Sequence, residues 1–297
     1  MKKIIILLII VASLPITGVA QDPGKDSGVR IEIDTSFGYP DGRSEAIVEY
    51  LQKKYIDDQT FVDNLNKKYH LGITSKYSDE DFTDVYFDTP NLDLMDRDAE
   101  LRHRTRKLTG ETEPQKSLIQ LKIGGKDKLA DQNNKNSRNE IKFAVKSGSA
   151  INGWDKPLNF ITKKEDMDFI NQLSELKIGA ANLKPLFRLT QRRQRIGFPL
   201  PDGQNFISFS VDDVQVKRWW WTINFSQLEV ELNEVTYTNA SPAMRKEMEK
   251  ISNEMIDDLR KQFGELNPDI RTKVERSFSM LKEKIPFYAF WIKIGVL

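Results

Sequence analysis

The 297-residue sequence contains no cysteine and only two histidines. The first absence excludes disulfides, thiolate metal sites and a lipidated N-terminal cysteine. The second leaves little for nucleophilic catalysis. His70 ends a helical stretch, where a capping role fits, and His103 alternates with arginines along a strand and so faces away from them. Net charge is nearly absent too, with 45 lysines and arginines against 44 acids. There is no global basic field of the kind that gathers nucleic acid, so none is expected as a partner. No G-x-x-x-x-G-K loop is present to cradle phosphates on backbone amides. An anion-binding function must therefore rest on local arrangement.

Long apolar runs are scarce as well. The one at the start, "MKKIIILLIIVASLPITGVAQ", pairs Lys2 and Lys3 with the apolar stretch Ile4–Leu14 and small residues before Gln21. It reads as a secretory signal peptide over residues 1–20, too short for a stable span of roughly 20 residues. Its removal leaves 43 basic against 44 acidic residues and predicts an exported protein, periplasmic or extracellular. The closing stretch "IPFYAFWIKIGVL" is shorter still and reads as core packing or surface docking.

Between these ends the chain alternates strand and helix signals. After a polar leader (21–28), strands are predicted at 29–37, Thr83–Asp88, Glu100–Leu108, Ser117–Ile123, Arg138–Val145, Leu186–Arg195, Phe206–Gln215 and Gln227–Leu232. Helices are predicted within 41–70, with a break near Asp57, at Lys163–Lys177, at 241–263 and after Asn267. "SPAMRKEMEK" begins the third with serine as N-cap and proline at the first helical position. Residues 124–137 read as a loop. This is an α+β pattern with a mainly antiparallel sheet, divided into 29–240 and a C-terminal helical part at 241–297.

The strands share one peculiarity. Residues two apart face the same side, and here those rows are charged: Glu32 and Asp34; Arg102, Arg104 and Arg106; Gln120 and Lys122; Arg138, Glu140 and Lys142; Arg193 and Arg195; Asp212; Glu229 and Glu231. One reading is a sheet with a wet face whose charges pair across strands. The other is that all these rows point into one closed barrel, acids holding divalent cations through oxygen and basic rows gripping a polyanion. "KRWWW" (217–221) reads as packing or as a helix-docking surface, with base stacking as the rival.

At these residues the chain resembles the CYTH, or triphosphate tunnel metalloenzyme, family. "YFDTPNLDLMDRDAELRHR" is similar to the family's YFDTP…L…LR-R block. "LIQLK", "RNE", "RRQR", "VDDV" and "LEVEL" follow like its lysine, R-x-E, basic, aspartate and E-x-E strands, in order, over residues 29–235. The resemblance implies a closed eight-stranded antiparallel β-barrel with flanking and C-terminal helices, two divalent ions (Mg²⁺ or Mn²⁺) and a bound triphosphate or polyphosphate. It implies metal ligands among Glu32, Asp34, Glu140, Asp212, Glu229 and Glu231, with Glu32, Asp212, Glu229 and Glu231 serving catalysis. Phosphate would be gripped by Arg102, Arg104, Lys122, Arg138, Arg193 and Arg195, with Arg106 at the mouth. Arg188 is a further candidate, but its parity differs from that of Arg193 and Arg195, so a bulge is needed to turn all three inward. The family's opening E-x-E-x-K is here Glu32, Asp34 and Ser36, which removes one cation. The implied function is metal-dependent hydrolysis of a triphosphate. The alternatives are a non-catalytic polyanion binder of the same fold, or a relative of adenylyl cyclases or polyphosphate polymerases.

Overall fold

The computed structural model describes residues 30–112, 116–124, 135–144, 171 and 182–294. The leader, the polar segment after it and, apart from Asn171, the helix expected at 163–177 lie outside these residues. The described chain builds β1 (Arg30–Tyr39), α1 (Ser44–Gln52), a π-helical turn (Lys53–Asp57), α2 (Thr60–Tyr69), β2 (Lys76–Asp88), β3 (Ala99–Leu108), β4 (Lys116–Gly124) and β5 (Lys135–Ala144). It continues with β6 (Lys184–Pro199), β7 (Asn205–Arg218), β8 (Trp221–Leu232), α3 (Glu234–Asn239), α4 (Pro242–Gln262), β9 (Asn267–Pro268), α5 (Lys273–Lys284) and α6 (Tyr288–Lys293).

The strands form one curled antiparallel sheet in the order β5-β4-β3-β2-β6-β7-β8-β1-β9, and β5 pairs with β1 as well. In that last ladder Arg30 lies opposite Glu140 and Glu32 opposite Arg138. The sheet thus has nine strands where the sequence predicts eight. The extra one is the two-residue β9, hydrogen-bonded to β1 at Phe37 and Gly38. β2 also begins earlier than predicted. The sequence places its start at Thr83, yet its pairing with β6 runs from Lys76 onward, because partners on both sides override a weak intrinsic preference.

Two apolar clusters hold the helices. On the outer face, Phe37, Ile196, Phe198, Phe209, Val211, Leu228 and Val230 pack against Ile47 and Leu51 of α1 and Met248, Ile251 and Leu259 of α4. Tyr55 anchors this layer, with its ring 5.5 Å from Phe198 and 5.2 Å from Phe209. The second cluster lies on the inner face, toward one end. There Tyr86, Phe187, Leu189, Val214, Val216, Ile223 and Phe225 pack with Val274, Phe278 and Leu281 of α5 and Tyr288 and Ile292 of α6. The inner face is therefore apolar at one end, where the C-terminal helices plug it, and charged over the rest.

α5 starts with a capping box, in which Thr272 and Glu275 satisfy each other's backbone N–H groups. This fixes where the plug begins. Among the described residues no helix is long and apolar enough to cross a membrane. Leu281 is fully buried against the sheet interior. Leu281→Ala is expected to cost about 2–5 kcal/mol, read as a lowered midpoint in chemical denaturation.

Candidate functional site

The charged part of the inner face surrounds a cavity of about 340 Å³. Period-two alternation delivers the lining: Glu32, Asp34 and Ser36 from β1; Glu100, Arg102, Arg104 and Arg106 from β3; Gln120 and Lys122 from β4; Arg138, Glu140 and Lys142 from β5. β6 adds Arg193 and Arg195, β7 Ser208, and β8 Gln227, Glu229 and Glu231. Arg271, Thr272 and Lys273, at the start of α5, line it as well.

The arginine row of β3 is compensated by its neighbour β2. Asp84 takes both forks of Arg104 at 2.7 and 2.6 Å and lies 3.4 Å from Arg102. Arg102 also donates to Gln120 at 2.7 Å and to the Tyr86 hydroxyl at 2.9 Å, while Arg106 pairs with Glu80. The sequence suggests a phosphate chain as the counter-charge of Arg102 and Arg104; in the protein itself Asp84 fills that place. It aims the guanidiniums and leaves part of each fork toward the cavity.

The other acids are paired too. Lys122 bonds Glu32, Arg138 bonds Asp34 at 3.2 Å, and Lys142 bridges Glu140 and Glu234, both at 2.6 Å. Arg193 holds Asp212 through two bonds of 2.7 and 2.6 Å and reaches Glu229 at 2.6 Å. Lys273 sits between the same two acids, 3.0 Å from Asp212 and bonded to Glu229. Ser36, facing Glu229 across the β1–β8 ladder, accepts from Gln227.

These neighbours set the ionisation of the cluster. Burial alone would raise the Glu32 carboxyl, but Lys122 and Arg138 outweigh it and hold it at about 2. Burial likewise opposes ionised Glu229, and Lys273 and Arg193 overcome it, keeping that carboxyl well below the usual range. Asp34 is raised by burial, relieved in part by Arg138, with Glu32 and Glu229 adding to the rise. Glu231 is pushed up to about 7 by burial, against Arg195, with Glu32 and Glu234 adding to it. Asp34 and Glu231 face each other directly across β1 and β8. Two like charges in that relation repel, and a proton or a cation between them relieves it.

Every site residue read from the sequence lies around this cavity or directly behind its wall, except Arg188. β6 bulges only at its two ends, next to the Tyr86/Phe87 and Gly197/Pro199 pairings. Arg188 therefore keeps the parity of Arg192, opposite Val85 and exposed Lys217, and falls on the outer face, away from the phosphate candidates. Sequence reading missed Glu80, Asp84, Glu100 and Glu234, which supply much of the counter-charge. The row Glu80, Phe82, Asp84, Tyr86 carries the same two-residue signal. Lys273 has no such signal, because its place depends on how α5 docks. Among the described residues no three carboxylates stand together as a ready metal cage. The donor set is nonetheless all oxygen, which suits Mg²⁺ or Mn²⁺, and the buried Glu32 Oε2 has no hydrogen-bond partner.

The raised Glu231 pKa has a stability consequence. A carboxyl held at about 7 in the fold against an ordinary 4.5 favours folding fully below about 4.5, and that contribution is lost as pH rises through about 7. In metal-free buffer with a chelator, Glu231→Gln is therefore expected to melt progressively higher than the wild type between those pH values, with a constant gap above. Calorimetry across pH 4–8 reads this, and a gap that does not widen over the window would refute it.

The CYTH domain model matches residues 62–277, about three quarters of the chain. None of the curated proteins matches it. Among solved structures, a candidate adenylate cyclase from Bacillus halodurans has a TM-score of 0.51 at 15% identity, covering 84% of this chain and 98% of that one. A protein from Pyrococcus horikoshii has a TM-score of 0.44 at 14% identity, with 86% and 99% covered. HpAC1 from Hippeastrum, a candidate adenylyl cyclase with a dominant triphosphatase activity, has a TM-score of 0.45 at 12% identity, with 84% and 96% covered. At 15% identity the likeness to the first of these is one of fold. The family-model match spans most of the strands and the start of the plug that together build the charged cavity, and by that match the chain belongs to the CYTH domain family.

Proposed function

We propose that the curled sheet encloses a tunnel in which a triphosphate is bound with divalent cations and hydrolysed at its terminal phosphoanhydride. The observation that carries this reading is the charge balance of the cavity. Among the described residues, ten cations (Arg102, Arg104, Arg106, Lys122, Arg138, Lys142, Arg193, Arg195, Arg271 and Lys273) meet ten carboxyls (Glu32, Asp34, Glu80, Asp84, Glu100, Glu140, Asp212, Glu229, Glu231 and Glu234) on or beside its walls. Such a site is close to neutral by itself. A polyanion entering alone would leave several uncompensated charges in a poorly solvated space, at high cost. Entering with divalent ions, it preserves the balance: the phosphate oxygens take over the basic groups, and the carboxylates so released face the metal.

In this reading Arg102, Arg104, Lys122, Arg138, Arg193 and Arg195 grip the phosphate chain, the arginines through bidentate forks. Lys273 joins them from α5. Glu32, Asp34, Glu229 and Glu231 would hold the ions, with Glu140 and Asp212 orienting the neighbouring bases or completing the shell. When bound, the ions neutralise phosphate oxygens and lower the pKa of a water aligned with the terminal phosphorus. The protein's own task is to place the chain in line and keep it from rotating.

A second reading, binding without turnover, is favoured by one specific observation. Lys273 and Arg193 each pair with both Asp212 and Glu229, so releasing those acids to a metal requires four ion pairs to open.

Both readings are tested with the chain from Gln21 onward, which retains every described element. It is incubated with tripolyphosphate or ATP and Mg²⁺ or Mn²⁺, and released phosphate is compared with that of Glu231→Ala. Metal-dependent release that falls at least about 100-fold in the variant is expected, the scale of losing a principal charge stabiliser. Pyrophosphate from ATP in place of orthophosphate would indicate a cyclase-type reaction. No release, with tripolyphosphate still raising the melting temperature, would establish the binder. Neither release nor a thermal shift would overturn both.

A further inference from the structure

Seven large hydrophobic side chains are exposed among the described residues, and five of them belong to two neighbouring protrusions. Trp219 and Trp220 form the tip of the β7–β8 hairpin, with rings stacked at 5.6 Å. Phe287, Phe290 and Ile294 project from α6 and its flanks, opposite the buried Tyr288 and Ile292. The protrusions are tied together: Lys284 donates to the Thr222 carbonyl at 2.9 Å, and Trp221 packs on the cluster that holds Tyr288 and Ile292. Trp220 is 79% and Phe287 77% exposed, so these rings stand out from the surface instead of lying on it.

Two features argue that the aromatics are there for a partner. First, Trp219 (φ 52°) and Phe287 (φ 58°) occupy left-handed backbone positions, where glycine or asparagine would serve at less cost. Trp219 rests on Arg218, 5.3 Å from its ring, but much of both rings is left in solvent. Second, the flanking charge is predominantly positive. Lys217, Lys282, Lys284 and Lys293 are exposed around the rings, with Glu283 as the acid among them.

We propose that this end of the molecule docks onto a phospholipid surface carrying anionic headgroups. Trp and Phe insert at the headgroup level, and the lysines pair with the anionic phosphates around them. α6 is apolar on both sides, one against the core and one outward, as suits a helix lying in an interface. Rings that stand out from the surface with lysines around them suit a headgroup layer better than the close-packed core of a protein interface. The geometry also keeps the candidate site accessible. Asn205, at the start of β7, lines the cavity, whereas Arg218, beside the aromatic tip, ends the same 14-residue strand. The residue steps between them, at about 3.3 Å each, amount to at most about 43 Å along the strand. Docked in this way, the protein points its aromatic end at the lipid and the cavity's β6–β7 rim away from it.

The test is sedimentation of the chain from Gln21 onward, free of the apolar leader, with phosphatidylcholine vesicles that are neutral or contain roughly 30% phosphatidylglycerol. Binding to the anionic vesicles is expected, weaker by at least about tenfold on neutral ones. Loss of similar size is expected in Trp220→Ser/Phe287→Ser and in Lys282→Glu/Lys293→Glu, all four residues being exposed, with melting temperatures near that of the wild type. Failure to bind anionic vesicles, or equal binding by wild type and both variants, overturns the proposal. So does a dimer in light scattering that Trp220→Ser/Phe287→Ser dissociates, since a second copy would then be the occupant. None of these residues lines the cavity, so the result is independent of the phosphate assay.

Discussion

Everything in this structure depends on keeping a densely charged interior electrically satisfied. A single unpaired charge taken out of water costs several kcal/mol even after relaxation, and here nearly twenty ionisable groups share the inside of one sheet. The solution is local: each basic row is flanked by an acidic one. Asp84 and Glu80 of β2 serve the arginines of β3, Glu32 and Glu140 serve Lys122, and Asp212 and Glu229 serve Arg193. The antiparallel register makes this possible by setting Tyr86 opposite Arg102 and Asp84 opposite Arg104. Pairing of this kind contributes little net stability compared with an apolar core. What it provides is an array of forks and carboxylates held in fixed places, in which an incoming ligand would exchange partners instead of meeting bare charges.

The division of the inner face follows from the same constraint. Charges can be kept only where they have counter-charges or water, so the end that lacks both is apolar and filled by α5 and α6. The outer face follows a different rule. It carries helices where the strands present Phe, Ile, Leu and Val, on β1, β6, β7 and β8. Its charged pairs, such as Arg192 with Asp79, stay near solvent, where an ion pair is worth roughly 0–1 kcal/mol. The sheet is therefore inverted relative to an ordinary sandwich, with its most polar rows inside and much of its core outside.

How much of this was legible in the sequence depends on the range of the signal. The rows of β1, β3, β4, β5 and β8 announce themselves by two-residue spacing, and the helix at Pro242–Gln262 by its Ser241 cap and first-turn proline. Arg188 was separable by parity alone, since no bulge intervenes between it and Arg193. What local reading left out was "KYSDEDF", the stretch before Thr83, which its partners on β3 and β6 make part of β2. Lys273 was beyond any local reading. It opens an amphipathic helix and looks like one more solvated lysine, and only the docking of Phe278 and Leu281 into the sheet carries it to Asp212.

That position gives the plug a part in the chemistry of the site. Ser36 marks a gap on β1, where the family pattern has a lysine, and Glu229 faces that gap from β8. Lys273 reaches Glu229 from the opposite direction, so the local charge is restored by a residue that is distant in sequence and carried on a different element. A cation supplied by β1 is as rigid as the sheet. One supplied by α5 is only as fixed as the packing of Val274, Phe278 and Leu281 and the capping box at Thr272. In the proposed reading, occupancy of the cavity and seating of the C-terminal helices would be thermodynamically linked. An anion that bound better with the plug seated would tighten the plug, and loosening the plug would weaken the grip on that anion by the same free energy.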